Sequence, residues 1–113
     1  MKLNNYASQI SNPQTLKLNT MEKVIFRKEK NGSIIAVFPY IISDPDGNVL
    51  CYAPYEGHGS ISWDYYISNT KPCKETEYKE LEEQLEDHYG YSLEIIQRRD
   101  YDAYMKAWKE TRL

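Results

Sequence analysis

The 113-residue sequence is poor in cysteine and lacks an apolar run of signal-peptide or membrane-spanning length. A small secreted domain held by disulfides usually carries several cysteines, whereas this chain has two. A membrane helix needs about 18 consecutive apolar residues. These absences argue against a disulfide-stapled secreted domain and against a membrane protein. The expected location is the reducing cytoplasm.

Basic residues are absent from residues 31–70, which hold four acidic side chains, and the formal net charge of the chain is −3. Proteins that bind nucleic acid through overall charge are usually basic, so this class is disfavoured. The charges are nevertheless segregated along the chain. Residues 1–30 carry six basic and two acidic side chains, and residues 74–88 carry seven acidic and two basic ones.

Familiar catalytic and cofactor-binding motifs are also absent. There is no glycine-rich phosphate loop, no G-x-S-x-G turn and no cysteine or histidine pair at the short spacing of zinc ligands. Asp44, Asp46 and Asn48 have the alternating spacing of a calcium loop, which favours calcium only if a glutamate follows. Tyr55 occupies that position, so a turn is favoured. We therefore expect no metal, no cofactor and no catalytic residues, and the interpretation leans away from an enzyme.

Tyrosine is abundant, with 11 residues against two phenylalanines. A tyrosine buries its ring while its hydroxyl stays in water, which suits half-exposed strand faces and interfaces. The composition favours a small sheet with one wet face, and a dedicated binding surface is the alternative.

The length fits one domain. Residues 1–20 are polar and predict an N-terminal extension or arm, within which residues 16–18 could form a short edge strand. Residues 21–113 predict a single α+β domain, with a core over 21–98 and a C-terminal helix over 99–113. The expected architecture is an antiparallel sheet of four to five strands, with one helix packed on a face and a second helix at the C terminus.

Two apolar stretches on either side of Asn31-Gly32 predict a β-hairpin, because this dipeptide favours a two-residue type I′ turn. A turn of that length places Phe26 opposite Val37. Both faces of the hairpin are then substantially apolar, so we expect cover on both sides. Pro39 is expected to end the second strand or to mark it as an edge.

Apolar spacing and turn residues predict the remaining elements. They are a third strand at 49–53, a fourth strand at 60–68, a helix at 75–88, a fifth strand at 91–98 and a last helix capped by Asp100. The helix at 75–88 is expected to end at Gly90, a residue type that favours the left-handed position after a helix.

The predicted fourth strand follows a glycine-flanked histidine, and this stretch supplies the candidate binding site. Four residues alternate with polar positions and are expected in the core. They are Ile61, Trp63, Tyr65 and Ile67. Residues of the opposite face and the loop form the candidate site, which comprises Glu56, His58, Asp64 and Tyr66. The alternative is an ordinary surface loop in which His58 has no role.

The predicted helix at 75–88 presents carboxylates that could compete for a basic groove on another protein or mimic phosphates. The residues that represent this acidic surface are Glu80, Glu83 and Asp87. The alternative is an ordinary solubilising face. Cys51 alternates with core positions and is expected to be buried. Cys73 precedes the helix, whose N terminus would lower a thiol pKa, and is the better candidate for a reactive thiol.

Short segments over residues 21–98 carry a resemblance. They are residues 21–28, 31–32, 35–39, 57–59, 64–66, 70–72, 77–78, 81 and 90–91. Together they resemble a group of small uncharacterised bacterial and phage-borne proteins. Members of that group usually have Thr-Pro where this chain has Lys74-Glu75, so the helix cap is weaker here. The group has no established activity. The resemblance therefore implies a core domain and a mobile-element origin, in which small proteins often block host machinery.

We predict a non-catalytic protein-interaction or inhibitor module, with a phage or mobile-element origin and another protein as its partner. Nucleic-acid binding is an alternative, through exposed tyrosines and the basic first hairpin strand. The basic residues of that strand are Lys23, Arg27, Lys28 and Lys30. A small hydrolase or ligand-binding domain centred on His58 is a further alternative. No membrane contact is expected, and a homo-oligomer is left open.

Overall fold

The computed structural model describes residues 21–111, so the predicted arm at 1–20, with its strand at 16–18, lies outside the described residues. Within them, six strands and three helices follow one another along the chain. In order they are β1 (Glu22–Glu29), β2 (Ile34–Ile42), β3 (Val49–Ala53), β4 (Gly57–Ile61), α1 (Trp63–Asn69), β5 (Thr70–Pro72), α2 (Glu75–Tyr89), β6 (Leu93–Ile95) and α3 (Tyr101–Thr111).

The strands form one mainly antiparallel sheet in the order β4-β3-β2-β1-β5. Strand β6 also pairs with β1, but in parallel. It runs beside the first half of β1, from Glu22 to Val24, whereas β5 runs beside the second half, from Arg27 to Glu29. The α+β class, the antiparallel sheet and the C-terminal helix are therefore confirmed.

The β1–β2 turn is one residue longer than predicted. The Glu29 N–H donates to the Ser33 carbonyl at 2.8 Å, and Gly32 has a φ of 92°. The Asn31 side chain accepts a hydrogen bond from the Ser33 N–H at 2.9 Å, which stabilises this longer turn. Phe26 consequently faces Ala36, and the predicted pairing with Val37 is wrong. A one-residue shift in the pairing moves every side chain of β2 to the face of the sheet opposite to the predicted one.

Both faces of the sheet are covered, as predicted for the hairpin. Helix α2 covers one face, where it packs with the β1 residues Val24 and Phe26. Helices α1 and α3 cover the other face, where they pack with Ile25. The buried residues of the α2 face are Val24, Phe26, Ala36, Phe38, Leu50, Leu81, Leu85 and Leu93. Those of the other face are Ile25, Ile35, Val37, Ile42, Val49, Ile61, Tyr66 and Tyr104.

Pro39 does not end β2, which continues to Ile42 as an internal strand of the sheet. The pairing with β3 shifts between Phe38 and Ile42, so an irregularity surrounds the proline. A bulge of this kind is where a strand tolerates a residue that has no N–H to donate.

The predicted strand at 60–68 is wrong, because most of it forms helix α1. The Ser62 side chain accepts a hydrogen bond from the Tyr65 N–H at 3.1 Å and so caps the helix N terminus. Three-residue spacing brings the rings of Trp63 and Tyr66 into a stack, with centroids 4.2 Å apart. Ile61 is buried, as predicted. Tyr66 is also buried, whereas Tyr65 and Ile67 are 42% and 61% exposed, so the predicted burial is wrong at these three positions.

Helix α2 matches the predicted helix, and Gly90 follows it with a φ of 80°. The Lys74 side chain has no oxygen that could cap the helix N terminus, in agreement with the weak cap expected from the sequence. The Glu77 side chain instead accepts the Lys74 N–H at 2.9 Å. The last helix is capped as predicted, since Asp100 accepts the Asp102 N–H at 2.9 Å.

The turn between β2 and β3 is the predicted one. The Asp44 side chain accepts the N–H groups of Asp46 and Asn48, which explains the calcium-like spacing. Gly47 sits in this turn with a φ of 84° directly beneath α3. The Tyr104 hydroxyl donates to the Gly47 carbonyl at 2.6 Å, so the turn anchors the helix.

We expect Gly47→Ala to destabilise the fold more than Gly32→Ala. A Cβ at Gly47 would lie 2.7 Å from the Tyr104 hydroxyl and 2.8 Å from the Trp108 ring, in addition to requiring a positive φ. At Gly32 nothing lies within 4 Å of that position, so only the backbone cost applies. The expected losses are about 3 kcal/mol and about 1 kcal/mol, measured by urea unfolding. Equal losses would contradict the proposed close packing.

Candidate functional site

His58 lies on strand β4, opposite Tyr52 of β3, and its side chain points to the α2 face of the sheet. Its Nε2 is 2.8 Å from the hydroxyl of Tyr89, at the end of α2. The Tyr52 ring meets the imidazole edge-on at a centroid distance of 4.9 Å, and the His88 ring is 6.4 Å away. The histidine is therefore fixed by an aromatic cluster.

Electrostatics keep both members of the His58–Tyr89 hydrogen bond neutral. Burial, with a smaller contribution from His88, lowers the pKa of His58. Burial also raises the pKa of Tyr89 above the ordinary tyrosine value. A neutral imidazole nitrogen without a proton can accept a hydrogen bond from the tyrosine hydroxyl, and both groups stay neutral. The arrangement positions α2 against the sheet and supplies no activated base.

The structure does not bring the four predicted site residues together. Tyr66 is buried on the opposite face of the sheet from His58. Asp64 is exposed in the first turn of α1, and Glu56 is exposed in the β3–β4 turn. The expectation that Asp64 and Tyr66 share one strand face is wrong, because both belong to a helix. A nucleophilic thiol is also absent beside His58, since Cys51 packs toward the other face.

A stack of arginines and aromatic rings occupies the α1–α3 side of the sheet. The Arg27 guanidinium lies 4.2 Å from the ring centroid of Tyr66, which in turn stacks on Trp63. Arg99 lies 3.9 Å from the Trp63 centroid and 4.2 Å from the Tyr104 centroid. Cation–π contacts thus join β1, α1 and α3.

The two arginines of this stack differ in their hydrogen bonds. Arg27 donates through Nε to the Thr70 hydroxyl at 2.9 Å and through a terminal nitrogen to the Thr70 carbonyl at 3.0 Å. Arg99 makes ring contacts, but within residues 21–111 its guanidinium has neither a hydrogen-bond acceptor nor an ion-pair partner. Arg99 is half-buried, so part of the residue is accessible to solvent.

Apolar side chains are exposed on α1 and at the start of α3. Ile67 lies one helical turn after Trp63 and is 61% exposed, and Tyr101 is 58% exposed with its ring 5.4 Å from the guanidinium carbon. We name Trp63, Ile67, Arg99 and Tyr101 the α1–α3 surface. Trp63 and Ile67 fit an alternating strand in the sequence, so this surface was not predicted. The capping serine before an aromatic pair at three-residue spacing was the signal for a helix.

The predicted acidic surface on α2 is exposed at Glu80, Glu83 and Asp87. Glu82 of the same helix is instead buried, and one of its oxygens lies 3.7 Å from the Lys79 ammonium. The exposed carboxylates have no ion-pair partner within the described part of the chain, which fits either a solubilising face or a binding surface.

Two of the four basic residues named for the first hairpin strand, Arg27 and Lys28, are engaged within the fold, whereas Lys23 and Lys30 are exposed. Lys28 forms an ion pair with Glu77 at 2.6 Å, which raises the pKa of Lys28 and lowers that of Glu77. A shallow groove of about 330 Å³ lies beside Lys28, between the β1–β2 turn and β5. Glu29 lines it with the lysines, and the Tyr65 hydroxyl donates to that carboxylate at 2.7 Å.

Both cysteines are free thiols and half-buried. The pKa of Cys73 is raised by burial and by Glu77, so the expectation that the helix N terminus would lower it is wrong. Burial raises the pKa of Cys51 too. Higher thiol pKa values mean less thiolate at neutral pH, which disfavours nucleophilic chemistry at either site.

Within residues 21–111, no group of three or more histidine, cysteine or carboxylate side chains is arranged to hold a metal ion. No helix of the same region has the length and apolar character needed to cross a membrane. No family model, curated protein or solved structure matches the chain. The resemblance to phage-borne proteins therefore stays a prediction.

We expect stability to fall as the pH drops below about 6.5, the ordinary histidine value, because His58 has a lower pKa in the folded state. The neutral imidazole favours folding fully above that pH, and this contribution is lost as the unfolded chain takes up the proton. Urea unfolding at about pH 7.5 and about pH 5.5 should show a smaller loss for His58→Gln than for the unaltered protein. His88→Gln is the control and should retain most of the loss, since burial is the larger cause. An unchanged loss in His58→Gln would refute the assignment.

Proposed function

We propose that this protein is a non-catalytic protein-binding module that engages its partner through the α1–α3 surface. The observation that carries the proposal is the exposure of Ile67 and Tyr101 near a half-buried tryptophan and an arginine whose donors have no acceptor within residues 21–111. Tryptophan, tyrosine and arginine dominate the residues that contribute most to protein–protein binding.

The rigidity of this surface also supports binding. The Arg99 side chain is held by two rings, and Tyr104 is anchored to the Gly47 carbonyl. The Asp100 N–H donates to the Tyr40 hydroxyl at 2.9 Å, which ties the start of α3 to β2. A surface that is ordered before contact loses less conformational entropy when a partner binds.

The two other functions considered from the sequence have less support. A base-stacking surface needs an exposed sheet, but helices cover both faces, and Arg27 and Lys28 are engaged by Thr70 and Glu77. A hydrolase centred on His58 needs an available base, whereas Tyr89 occupies its Nε2. The inhibitor role implied by the resemblance has no separate support in these contacts, so the proposal is limited to binding.

Affinity purification from the source cells tests the proposal with the full chain, its Ile67→Lys/Tyr101→Ala variant and a Tyr55→Ala control. Both altered sites are exposed, so the core should be unaffected, and Tyr55 is 97% exposed on the β3–β4 turn. We expect a stoichiometric partner that the double variant binds at least about tenfold more weakly and the control binds normally.

Mass spectrometry identifies the captured protein, and titration calorimetry with the purified partner measures the affinities. Equal affinity of the double variant and the unaltered chain would exclude the α1–α3 surface. Recovery of no stoichiometric partner by the unaltered chain would count against a binding function altogether.

A further inference from the structure

Arg99 has the geometry of a preformed receptor for a planar anion. Its guanidinium carbon lies 3.9 Å from the Trp63 ring centroid and 4.2 Å from that of Tyr104. A guanidinium contacts aromatic rings through its faces. Its N–H donors point outward in its plane and take no part in these contacts. Those donors match the two oxygens of a carboxylate.

The protein supplies no acceptor of its own to these donors within residues 21–111. Asp100 is adjacent in sequence, but its carboxylate accepts the N–H groups of Asp102 and Ala103 at the start of α3. The contrast with Arg27, whose donors reach Thr70, shows that the fold does satisfy an arginine where it is purely structural.

The charged side chains around Arg99 favour one kind of anion over another. Asp64 and Asp102 are exposed on the first turns of α1 and α3, and Asp100 lies between Arg99 and α3. Even with the exposed Arg98, they leave no excess of positive charge around Arg99 to hold a polyanion such as a nucleic-acid backbone. A single carboxylate with apolar neighbours is favoured instead, because Tyr101 beside the arginine and Ile67 one helical turn after Trp63 offer exposed apolar area.

We infer that Arg99 binds the carboxylate of an aspartate or glutamate in a short partner segment, and that apolar residues next to that acid pack on Ile67 and Tyr101. This inference rests on the proposed function and names the chemistry of the partner at the same surface. Arginine is required in this role, because a lysine ammonium can neither stack between the rings nor donate in a planar fork.

Nuclear magnetic resonance titration of the full chain tests the inference with three probes. They are a capped Leu-Glu-Leu peptide, its Leu-Gln-Leu counterpart and inorganic phosphate. We expect the glutamate peptide to shift the Trp63 indole and Arg99 side-chain signals with a millimolar dissociation constant, and the glutamine peptide to bind about threefold more weakly or less. Absence of shifts at these signals up to about 20 mM peptide, equal binding of both peptides, or equal shifts with phosphate would each overturn the inference.

Arg99→Lys and Arg98→Gln are the matched variants. Arg99→Lys keeps the charge and should lose the preference for the glutamate peptide, whereas Arg98→Gln removes an exposed neighbour and should keep it. Retention of the preference for the glutamate peptide in Arg99→Lys would refute the requirement for an arginine at this position. Arg99→Lys is also measured against the captured partner. Full affinity there, with binding lost in the Ile67→Lys/Tyr101→Ala variant, would refute the carboxylate role and leave the proposed function intact.

Discussion

Strand β1 is buried on both faces and hydrogen-bonded along both edges, and the other elements supply those contacts. Val24 and Phe26 point toward α2, and Ile25 between them points toward α1 and α3. Strand β2 pairs along one edge, while β5 and β6 share the other. A strand apolar on both faces cannot sit in a two-layer fold with one wet face, so helices are required on each side.

This two-sided cover determines which aromatic side chains are accessible. Tyr66 and Tyr104 are buried between the helices and the sheet. Tyr55, Tyr65 and Tyr101 are exposed instead. Tyr101 is exposed beside Arg99, at the junction of α1 and α3. Arg99 connects the two because its guanidinium contacts rings from both.

The sequence predicted the elements whose signals are local, and it failed where two local patterns competed. Helix α2 and the Asp100 cap followed from spacing and capping residues. Residues 60–68 fit both an alternating strand and a capped helix, and the Ser62 cap decided the outcome. Asn31-Gly32 fits turns of two or three residues, and only the Asn31 hydrogen bond selects the longer one.

The candidate site could not be derived from the sequence, because its members depend on contacts across the fold. Arg99 is adjacent to Arg98 and Asp100, and no periodicity shows that it stacks on Trp63, 36 residues earlier. The choice of His58 followed from its flanking glycines. Those glycines lie within strand β4 itself, where the imidazole meets Tyr89 of a later helix.

The shared edge of β1 has a consequence for how the molecule opens. Strand β5, which ends at Pro72, pairs with the second half of β1. The chain then forms α2 and continues into β6, which begins at Leu93 and pairs with the first half of β1. Both ends of the segment that contains α2 are therefore attached to the same strand. Fraying of α2 therefore cannot spread outward without breaking pairings at opposite ends of β1. We expect α2, despite its highly charged surface, to exchange its amide hydrogens together with the central strand as one cooperative unit.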